Sequence, residues 1–104
     1  MTKVTFYFDG NVPFGFLISG HSGYAESGED IICASVSSAA YMTANTITEI
    51  LKVNAQINVS DAKMKLIVKK EQRHISKDIL LGLKLHLDSL SEQYPEFLET
   101  LTEV

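Results

Sequence analysis

Apolar residues occupy every second position near the start of the chain. The residues on this side of the pattern are Val4, Phe6 and Phe8. A period of two, built from aromatic and β-branched residues, predicts a half-buried strand over residues 3–8. Residues 9–11 (Asp-Gly-Asn) have turn chemistry, and the apolar run 14–19 predicts the returning strand of a hairpin. Pro13 is expected near the start of that strand or at a bulge, where its missing N–H is harmless.

Apolar residues recur at helical spacing in two longer stretches. The first predicts a helix over about 31–53, and the second predicts a helix over about 76–93. The predicted inner face of the first helix consists of Ile32, Val36, Ala39, Thr43, Ile47 and Ile50. The predicted inner face of the second consists of Ile79, Leu83, Leu87, Leu90 and Tyr94. Both faces need a layer to pack against.

Two further elements complete the predicted order. Residues 56–59 and 63–69 alternate on either side of the turn-forming residues 60–62, and they predict a second hairpin. Pro95 breaks the second helix and suits the first turn of a short last helix through Leu101. The predicted order is ββαββα with a short C-terminal helix. We therefore expect an α+β fold in one domain, residues 1–104, with two main helices packed on a four-stranded sheet.

Composition narrows the classes of protein. A chain of 104 residues can form one core but not a deep internal cavity, so a substrate must bind on an open face, under a mobile loop or at a subunit interface. The formal net charge of −4 argues against a general nucleic-acid binder. A single cysteine excludes an intramolecular disulfide. With no membrane-spanning apolar run and no signal peptide, we expect a cytoplasmic protein that needs no membrane.

The single cysteine, Cys33, lies close to a predicted helix start. Three glycines predict a loop over residues 20–28, and Asp30 is the expected N-cap. Cys33 then falls in the first turn, where unpaired N–H groups and the helix dipole favour an anion such as a thiolate. Asp30 is a like charge for a thiolate, so it is better suited to shaping the turn or partnering a histidine. A small apolar residue of the core is the alternative role for Cys33.

His21 is the histidine best placed for chemistry. It follows Gly20 at the end of the second predicted strand, in a segment whose composition is wrong for a core. A glycine-rich loop back to the helix can bring it near Cys33, and an imidazole can take the thiol proton and deliver it to a leaving amine. A solvent-facing loop histidine is the alternative. His74 and His86 fit surface or helix-packing roles, and no zinc-ligand spacing is present, so neither a metal nor another cofactor is expected.

Lysines cluster on the second predicted hairpin. They are Lys63, Lys65, Lys69 and Lys70. A solvated face is the simplest explanation, but the patch could also dock an acidic partner or ribosomal RNA. One possible function is therefore a non-enzymatic, ribosome-associated binding module that uses residues 63–70, and it stands as the alternative to an enzyme that uses Cys33 and His21.

Residues 20–38, taken together, resemble one family. The ribosomal-processing cysteine protease family (Prp) has a Gly-His dipeptide, a loop with glycines, then Asp-Ile-Val-Cys and a small-residue helix with a serine. The matching elements here are Gly20-His21, Gly28, Asp30-Ile31-Ile32-Cys33 and Ser37. The chain departs from the family pattern at two positions, where Ser22 replaces a frequent alanine and Ile32 replaces a frequent valine. Both changes are small.

The resemblance implies an endopeptidase that removes the N-terminal extension of a bacterial large-subunit ribosomal protein, at the end of an apolar stretch with two phenylalanines. It implies that Cys33 is the nucleophile and that His21 is the general base and acid. Asp30 would orient that pair, and Ser37 would be a substrate-side or structural residue. The resemblance also implies a homodimer and a mobile loop that closes over the substrate. The residues of that loop include Ser22, Gly23, Tyr24 and Gly28.

Two physical expectations accompany this assignment. Backbone N–H groups at the helix start near Cys33 are available as an oxyanion hole. Phe14, Phe16 and Tyr24 could supply an apolar surface for the substrate phenylalanines. The alternative is that the two phenylalanines belong to the core and that the tyrosine is exposed.

Overall fold

The structure, a computed structural model, describes residues 1–20, 27–61 and 63–104, and for residues 27–30 it describes the backbone alone. Its strands are β1 (Thr2–Asp9), β2 (Val12–Ser19), β3 (Ala55–Ser60), β4 (Lys63–Val68) and β5 (Leu98–Glu103). Its helices are α1 (Ser27–Asn45) and α2 (Arg73–Gln93), with a π-helical turn at Thr46–Ile50 and a 3₁₀ turn at Lys70–Gln72. Both predicted hairpins and both predicted main helices are confirmed.

The described strands form one five-stranded sheet in the order β3-β4-β2-β1-β5. Neighbouring strands are antiparallel except at the β1–β5 edge, where the pairing is parallel. That edge runs from Thr2 beside Leu98 to Tyr7 beside Glu103. The expected α+β class is confirmed. The predicted four-stranded sheet and ββαββα order are wrong, because a fifth strand follows α2.

The short C-terminal helix predicted from Pro95 through Leu101 is also wrong. Residues 95–97 form a turn, and β5 follows directly. Thr100 and Thr102 are β-branched and favour a strand, and without β5 the strand β1 would present an unpaired edge. Pairing with the most distant strand in the sequence decides the structure here, and no local pattern reveals that partner.

Both helices cover one face of the sheet. Side chains at alternate positions of β1, β2 and β4 are buried on that face, where they form one core with the inner faces of α1 and α2. The largest fully buried apolar side chains are Phe6, Phe16, Ile47, Leu66, Leu80, Leu87 and Leu98. Burying such a side chain stabilises the fold by about 1.5–3 kcal/mol. The opposite face is half-buried or exposed, with Tyr7, Leu17 and Lys65 among its residues.

The start of α1 differs from its prediction. The helix begins at Ser27 rather than near Ile31, so Asp30 is not its N-cap but lies in its first turn. Acidic residues are favourable anywhere in the first turn because of the helix dipole. Glu29 and Asp30 therefore lie within the first turn of the helix rather than before it.

The end of α1 is followed by a wider turn. The Leu51 N–H donates to the carbonyl oxygen of Thr46 over 2.8 Å, closing a π-helical ring. This turn changes which side chains face the core. Ile47 is fully buried as predicted, whereas Ile50 is 73% exposed and the prediction that it faces the sheet is wrong.

The second helix buries a stripe close to the predicted one. Its buried residues are Ser76, Leu80, Leu83 and Leu87. Leu83 and Leu87 confirm the prediction, whereas Ile79 and Leu90 are half-buried beside the stripe. Tyr94 follows the helix and is exposed. Within the described ranges, no helix is both long enough and apolar enough to cross a membrane.

A β-bulge stands near the turn of the first hairpin. Tyr7 pairs with Gly15, but Phe8 pairs with Pro13, so β2 has one extra residue between them. Pro13 thus lies beside a bulge near the start of its strand, as predicted. Gly10 forms the turn itself with a φ of 62°, a conformation that glycine adopts without steric cost.

Candidate active site

Cys33 lies in the second turn of α1, and its side chain is only 4% exposed. Its Sγ atom is 2.9 Å from Oγ1 of Thr2, a buried contact in which either atom can be the donor. Thr2 is the first residue of β1. The thiol is therefore held where the start of the first strand meets the start of the first helix.

Thr2 is fixed by the fifth strand. It pairs with Leu98, and its N–H donates to the carbonyl oxygen of Phe97 over 2.9 Å. Its side chain is 2% exposed and points to the same face of the sheet as Val4 and Phe6, since strand residues alternate. The strand missing from the prediction therefore positions the residue that contacts the thiol.

Gly20, the residue before His21, lies at the same end of the sheet as Thr2. Its φ is 90°, in the region that glycine tolerates and other residues rarely adopt. A Cβ built on Gly20 would collide with the backbone carbonyl oxygen of Met1. The backbone of Gly20 therefore lies against Met1, the side chain of Thr2 lies against Cys33, and the three segments meet at one end of the sheet. We call this end, with residues 1–2, 20 and 33, the site end.

The other residues predicted for the site fall mostly outside the described side chains. His21, Ser22, Gly23 and Tyr24 lie outside the described residues. The backbone of Asp30 is in the first turn of α1, while its side chain is not described. Gly28 also lies in α1, so the prediction that the loop extends through Gly28 is wrong.

The position of Cys33 also changes which backbone amides are free to form the expected oxyanion hole. Because α1 begins at Ser27, Cys33 is in the second turn rather than the first. The N–H of a residue there bonds to the carbonyl four residues earlier, and only the first four N–H groups of a helix are left without an internal partner. The helical amides free to bind an anion are therefore those at the very start of α1, before Asp30 and about one turn before the thiol.

Ser37 is exposed one turn after Cys33. It lines a small cleft of about 150 Å³ between α1 and the tip of the β3–β4 hairpin. The other lining residues are Ile18, Tyr41, Val59, Ser60, Asp61, Lys63 and Met64. Helical spacing of four residues places Ser37 one turn beyond Cys33 on α1, so the cleft starts one helical turn from the thiol, and its described lining does not include Cys33. We call it the hairpin cleft.

The two phenylalanines expected to bind substrate are not beside Cys33. Phe16 is fully buried in the core. Phe14 stacks on Tyr7 with ring centroids 6.1 Å apart, and the Arg73 guanidinium lies 3.7 Å from its ring centroid. Tyr7 is five residues along β1 from Thr2, which is roughly 17 Å in a strand. Phe16 is therefore covered by the core, and Phe14 lies far from Cys33 on the face of the sheet that the helices leave uncovered.

Comparison with known proteins decides the family. Residues 1–99 match the family model for cysteine protease Prp. The chain belongs to the cysteine protease Prp family. It is therefore an enzyme, and the non-enzymatic binding module is set aside. The four lysines of the alternative, Lys63, Lys65, Lys69 and Lys70, are all exposed.

Solved structures share the Prp fold over the whole chain. Prp of Staphylococcus aureus, an essential ribosomal processing protease in complex with a substrate peptide, is 20% identical, with a TM-score of 0.90 over 99% of this chain and 100% of that one. The same protease with a covalently linked product peptide is 22% identical, with a TM-score of 0.85 and coverage of 99% and 100%. SMU.848 of Streptococcus mutans is 23% identical, with a TM-score of 0.81 and coverage of 99% of each chain. At these identities the likeness establishes the fold. None of the curated proteins matches the chain significantly.

Thr2 is the residue of the candidate site that sequence reasoning missed. The signal was present, because alternation from Val4 and Phe6 places Thr2 on the helix-covered face. A threonine at that position is a polar group in a core, and buried polar groups need partners. The identity of the partner depends on the packing of α1, which the pattern of β1 does not contain.

A larger groove runs between the two helices, away from the thiol. Its volume is about 880 Å³. Its lining includes Ile31, Ala34, Ser38, Met42, Gly82 and His86. None of the described residues that line it is Asp, Glu, Lys or Arg. We call it the helix groove. His86 is exposed there and His74 is exposed at the start of α2, and among described residues no group of His, Cys, Asp and Glu could hold a metal ion.

Proposed function

We propose that Cys33 is the nucleophile of this protease and that His21 is its general base and acid. A cysteine protease needs a thiolate, and the chain contains a single cysteine. That observation carries the proposal. The contact of Gly20 with Met1 supports the second assignment, because it starts the His21 segment beside the strand residue that touches Cys33.

The proposed reaction proceeds in two steps. The Cys33 thiolate attacks the scissile carbonyl carbon, a C–S bond forms, and the C–N bond breaks as His21 gives its proton to the leaving amine. His21 then takes a proton from water, the hydroxide attacks the thioester, and the C–S bond breaks. The products are the released amine, the new carboxylic acid, which ionises in solvent, and the regenerated Cys33–His21 pair. Oxyanion stabilisation would come from donors placed near the carbonyl oxygen.

The remaining roles follow from position and from the family resemblance. Asp30 is proposed to orient His21 from the first turn of α1. Residues 22–24 (Ser22, Gly23, Tyr24) are proposed to close over the bound peptide, with Gly28 at the helical end of that segment. Ser37 is proposed to contact the peptide in the hairpin cleft, since it lines that cleft one turn beyond the nucleophile.

The proposed substrate is the N-terminal extension of a bacterial large-subunit ribosomal protein. The fold is shared with the Staphylococcus aureus ribosomal processing protease bound to a substrate peptide, and this supports a peptide substrate of the same kind. The proposed place of action is the cytoplasm, where such a precursor is made, in one protease domain over residues 1–104. Neither a membrane nor direct nucleic-acid contact is needed for this chemistry.

The test is cleavage of an extended ribosomal-protein precursor by the purified enzyme, with the new N-terminus located by mass spectrometry. Wild type should cut once, while Cys33→Ala and Cys33→Ser should leave the precursor intact and remain folded by circular dichroism. His21→Ala should lower kcat by about 10²- to 10⁴-fold, the usual contribution of general acid–base catalysis. Cleavage by Cys33→Ala at the wild-type rate would refute the proposal.

Adjacent serines offer a matched test of the hairpin cleft. Ser37 and Ser38 are both exposed on α1, but Ser38 lines the helix groove instead. Ser37→Ala should raise KM severalfold, and Ser38→Ala should leave it unchanged. Equal KM values for the two variants would remove Ser37 from the substrate contact.

The enzyme is further proposed to be a homodimer. The helix groove supports this proposal, because none of its described lining residues carries a full charge in a chain of net charge −4, so these residues of two copies could meet without like-charge repulsion. Met42 is 55% exposed in the groove, and Ile50 is 73% exposed outside it. Analytical ultracentrifugation should show that Met42→Glu weakens the dimer and that Ile50→Glu does not. A monomeric wild type would end this proposal.

A further inference from the structure

We propose that Thr2 is a positioning residue for the nucleophile, holding the Cys33 sulfur and donating a hydrogen bond to its thiolate. The inference rests on the proposed role of Cys33. Its basis is the 2.9 Å contact between Thr2 Oγ1 and Cys33 Sγ, which is buried on both sides, with 2% and 4% of the two residues exposed.

The chemistry of a hydroxyl suits both charge states of the thiol. With a neutral thiol, the threonine oxygen can accept from S–H or donate to sulfur. Once the proton has left, sulfur can only accept, and the hydroxyl donates to it. Within the described part of the chain, Thr2 Oγ1 has no other hydrogen-bond partner. Its one proton is therefore available to sulfur, and a bond to an ionised acceptor is about twice as strong as a neutral one.

The side chain of Thr2 is also held rigidly. The N–H donates to Phe97 and the residue pairs with Leu98, so its backbone is part of the sheet. A β-branched side chain in a strand has restricted χ1 rotation. The oxygen is thereby fixed relative to the sheet, while Cys33 belongs to the helix packed above it. Thr2 therefore ties the nucleophile to the strand that also contacts Gly20 through Met1.

The test separates this hydroxyl from the packing of the side chain. Thr2→Val removes the hydroxyl at nearly constant volume, and Thr2→Ser keeps it. The matched control is Thr43→Val, because Thr43 is a fully buried threonine of α1 whose hydroxyl donates to Ala39 rather than to Cys33. Each variant is assayed for precursor cleavage and for alkylation of its single thiol by iodoacetamide across pH.

Thr2→Val should move the midpoint of the alkylation profile to higher pH by about one unit, the value of one hydrogen bond to an ionised group. His21 and Asp30, the other groups proposed to set that midpoint, are unchanged in this variant. At pH values below the midpoint, kcat should fall about tenfold with KM unchanged, because a shift of one unit leaves a tenth of the thiolate there. Thr2→Ser should restore both values, and Thr43→Val should alter neither.

A wild-type midpoint in Thr2→Val, or a loss in Thr2→Ser equal to that in Thr2→Val, would overturn the inference. A second measurement needs no variant, since the chain has one cysteine and its S–H infrared band is unambiguous. A band at the frequency of a thiol without a hydrogen bond would also overturn it. These failures leave the proposed function intact when Cys33→Ala is inactive, whereas an active Cys33→Ala refutes the proposed function itself.

Discussion

The β1–β2 hairpin carries a glycine with positive φ at each of its two ends, and the two ends are built differently. At the turn, Gly10 has a φ of 62°, and a Cβ there would meet open space. At the site end, Gly20 has a φ of 90°, and a Cβ there would strike the carbonyl oxygen of Met1. Gly10 serves only the conformation of a turn. Gly20 also serves a close approach between two backbones.

The neighbours of the two glycines show the same difference. We call the end with Gly10, Asp9, Phe14 and Arg73 the turn end. Its contacts are stacking and hydrogen bonds around one arginine at the start of α2. The site end instead joins β1, β2, α1 and β5 within a few residues. Damage at the turn end should therefore cost stability, whereas damage at the site end should cost catalysis.

Between the two ends of the hairpin, the largest expected effect comes from adding one methyl group at the site end. Gly20→Ala should lower kcat/KM for the precursor by about a hundredfold, because a catalytic geometry displaced by about 1 Å loses that much rate. The added Cβ displaces Met1, and with it Thr2 and the start of the His21 segment. Gly10→Ala is the matched control. It should cost about 1–2 kcal/mol of unfolding free energy for its left-handed backbone and leave kcat/KM unchanged.

Steady-state kinetics and urea denaturation of the two glycine variants measure both quantities. Equal losses of activity in both would show that the ends of the hairpin are not functionally distinct. An active Gly20→Ala enzyme would show that the Met1–Gly20 approach does not position the site.

Local sequence patterns were sufficient to predict the strands and helices that bury one face against the core. Alternation found β1, an apolar run after a turn found β2, and helical spacing found α1 and α2, because each of these elements buries one face against the core. The Gly20-His21 and Asp30–Cys33 motifs likewise identified the family from short segments.

Structure that depends on a distant partner was not predictable in this way. The strand β5 forms because β1 offers it an edge, so residues 98–103 taken alone gave no decisive signal. The contact of Thr2 with Cys33 depends on where α1 packs. The exposure of Ile50 depends on a π-helical turn that shifts the helical register. The site end is made of such contacts, so the sequence identified Gly20 and Cys33 but neither Thr2 nor the arrangement that joins them.

An intermediate effect is expected at the turn end, where Arg73 is the principal contact. Its guanidinium lies 3.7 Å from the Phe14 ring centroid, and its Nε donates to the Val68 carbonyl over 3.2 Å. Arg73→Ala should lower the unfolding free energy by about 1–2 kcal/mol, the sum of one cation–π contact and one hydrogen bond. Cleavage of the precursor should be unaffected.

Asp9 provides the control for Arg73. Its carboxylate is 3.5 Å from the guanidinium but 63% exposed, and an exposed ion pair contributes little. Asp9→Ala should therefore change the urea midpoint only slightly. If Asp9→Ala destabilises the protein as much as Arg73→Ala, the ion pair rather than the stacking holds the turn end together.

The smallest expected effect concerns Tyr7, which pairs with Glu103 across the β1–β5 edge. Burial, and then the Glu103 carboxylate, raise the pKa of Tyr7 above its ordinary value of 10.0. A raised folded-state pKa means that the folded protein holds this proton more tightly than the unfolded chain does. The resulting stability is fully present below about pH 10 and is lost as pH rises through the folded-state pKa. Glu103→Gln should lower the pKa of Tyr7 slightly, because the carboxylate is the lesser of the two causes. The loss of stability between about pH 9 and pH 11 should then be slightly smaller than in wild type.

Ultraviolet titration of the phenol, with urea denaturation at both pH values, measures the two effects, and Glu99→Gln is a control on the same strand. An unchanged Tyr7 titration in Glu103→Gln would leave burial as the sole cause. A change in the neutral-pH alkylation of Cys33 would instead show that the Tyr7–Glu103 pair and the site end are coupled through the β1–β5 edge.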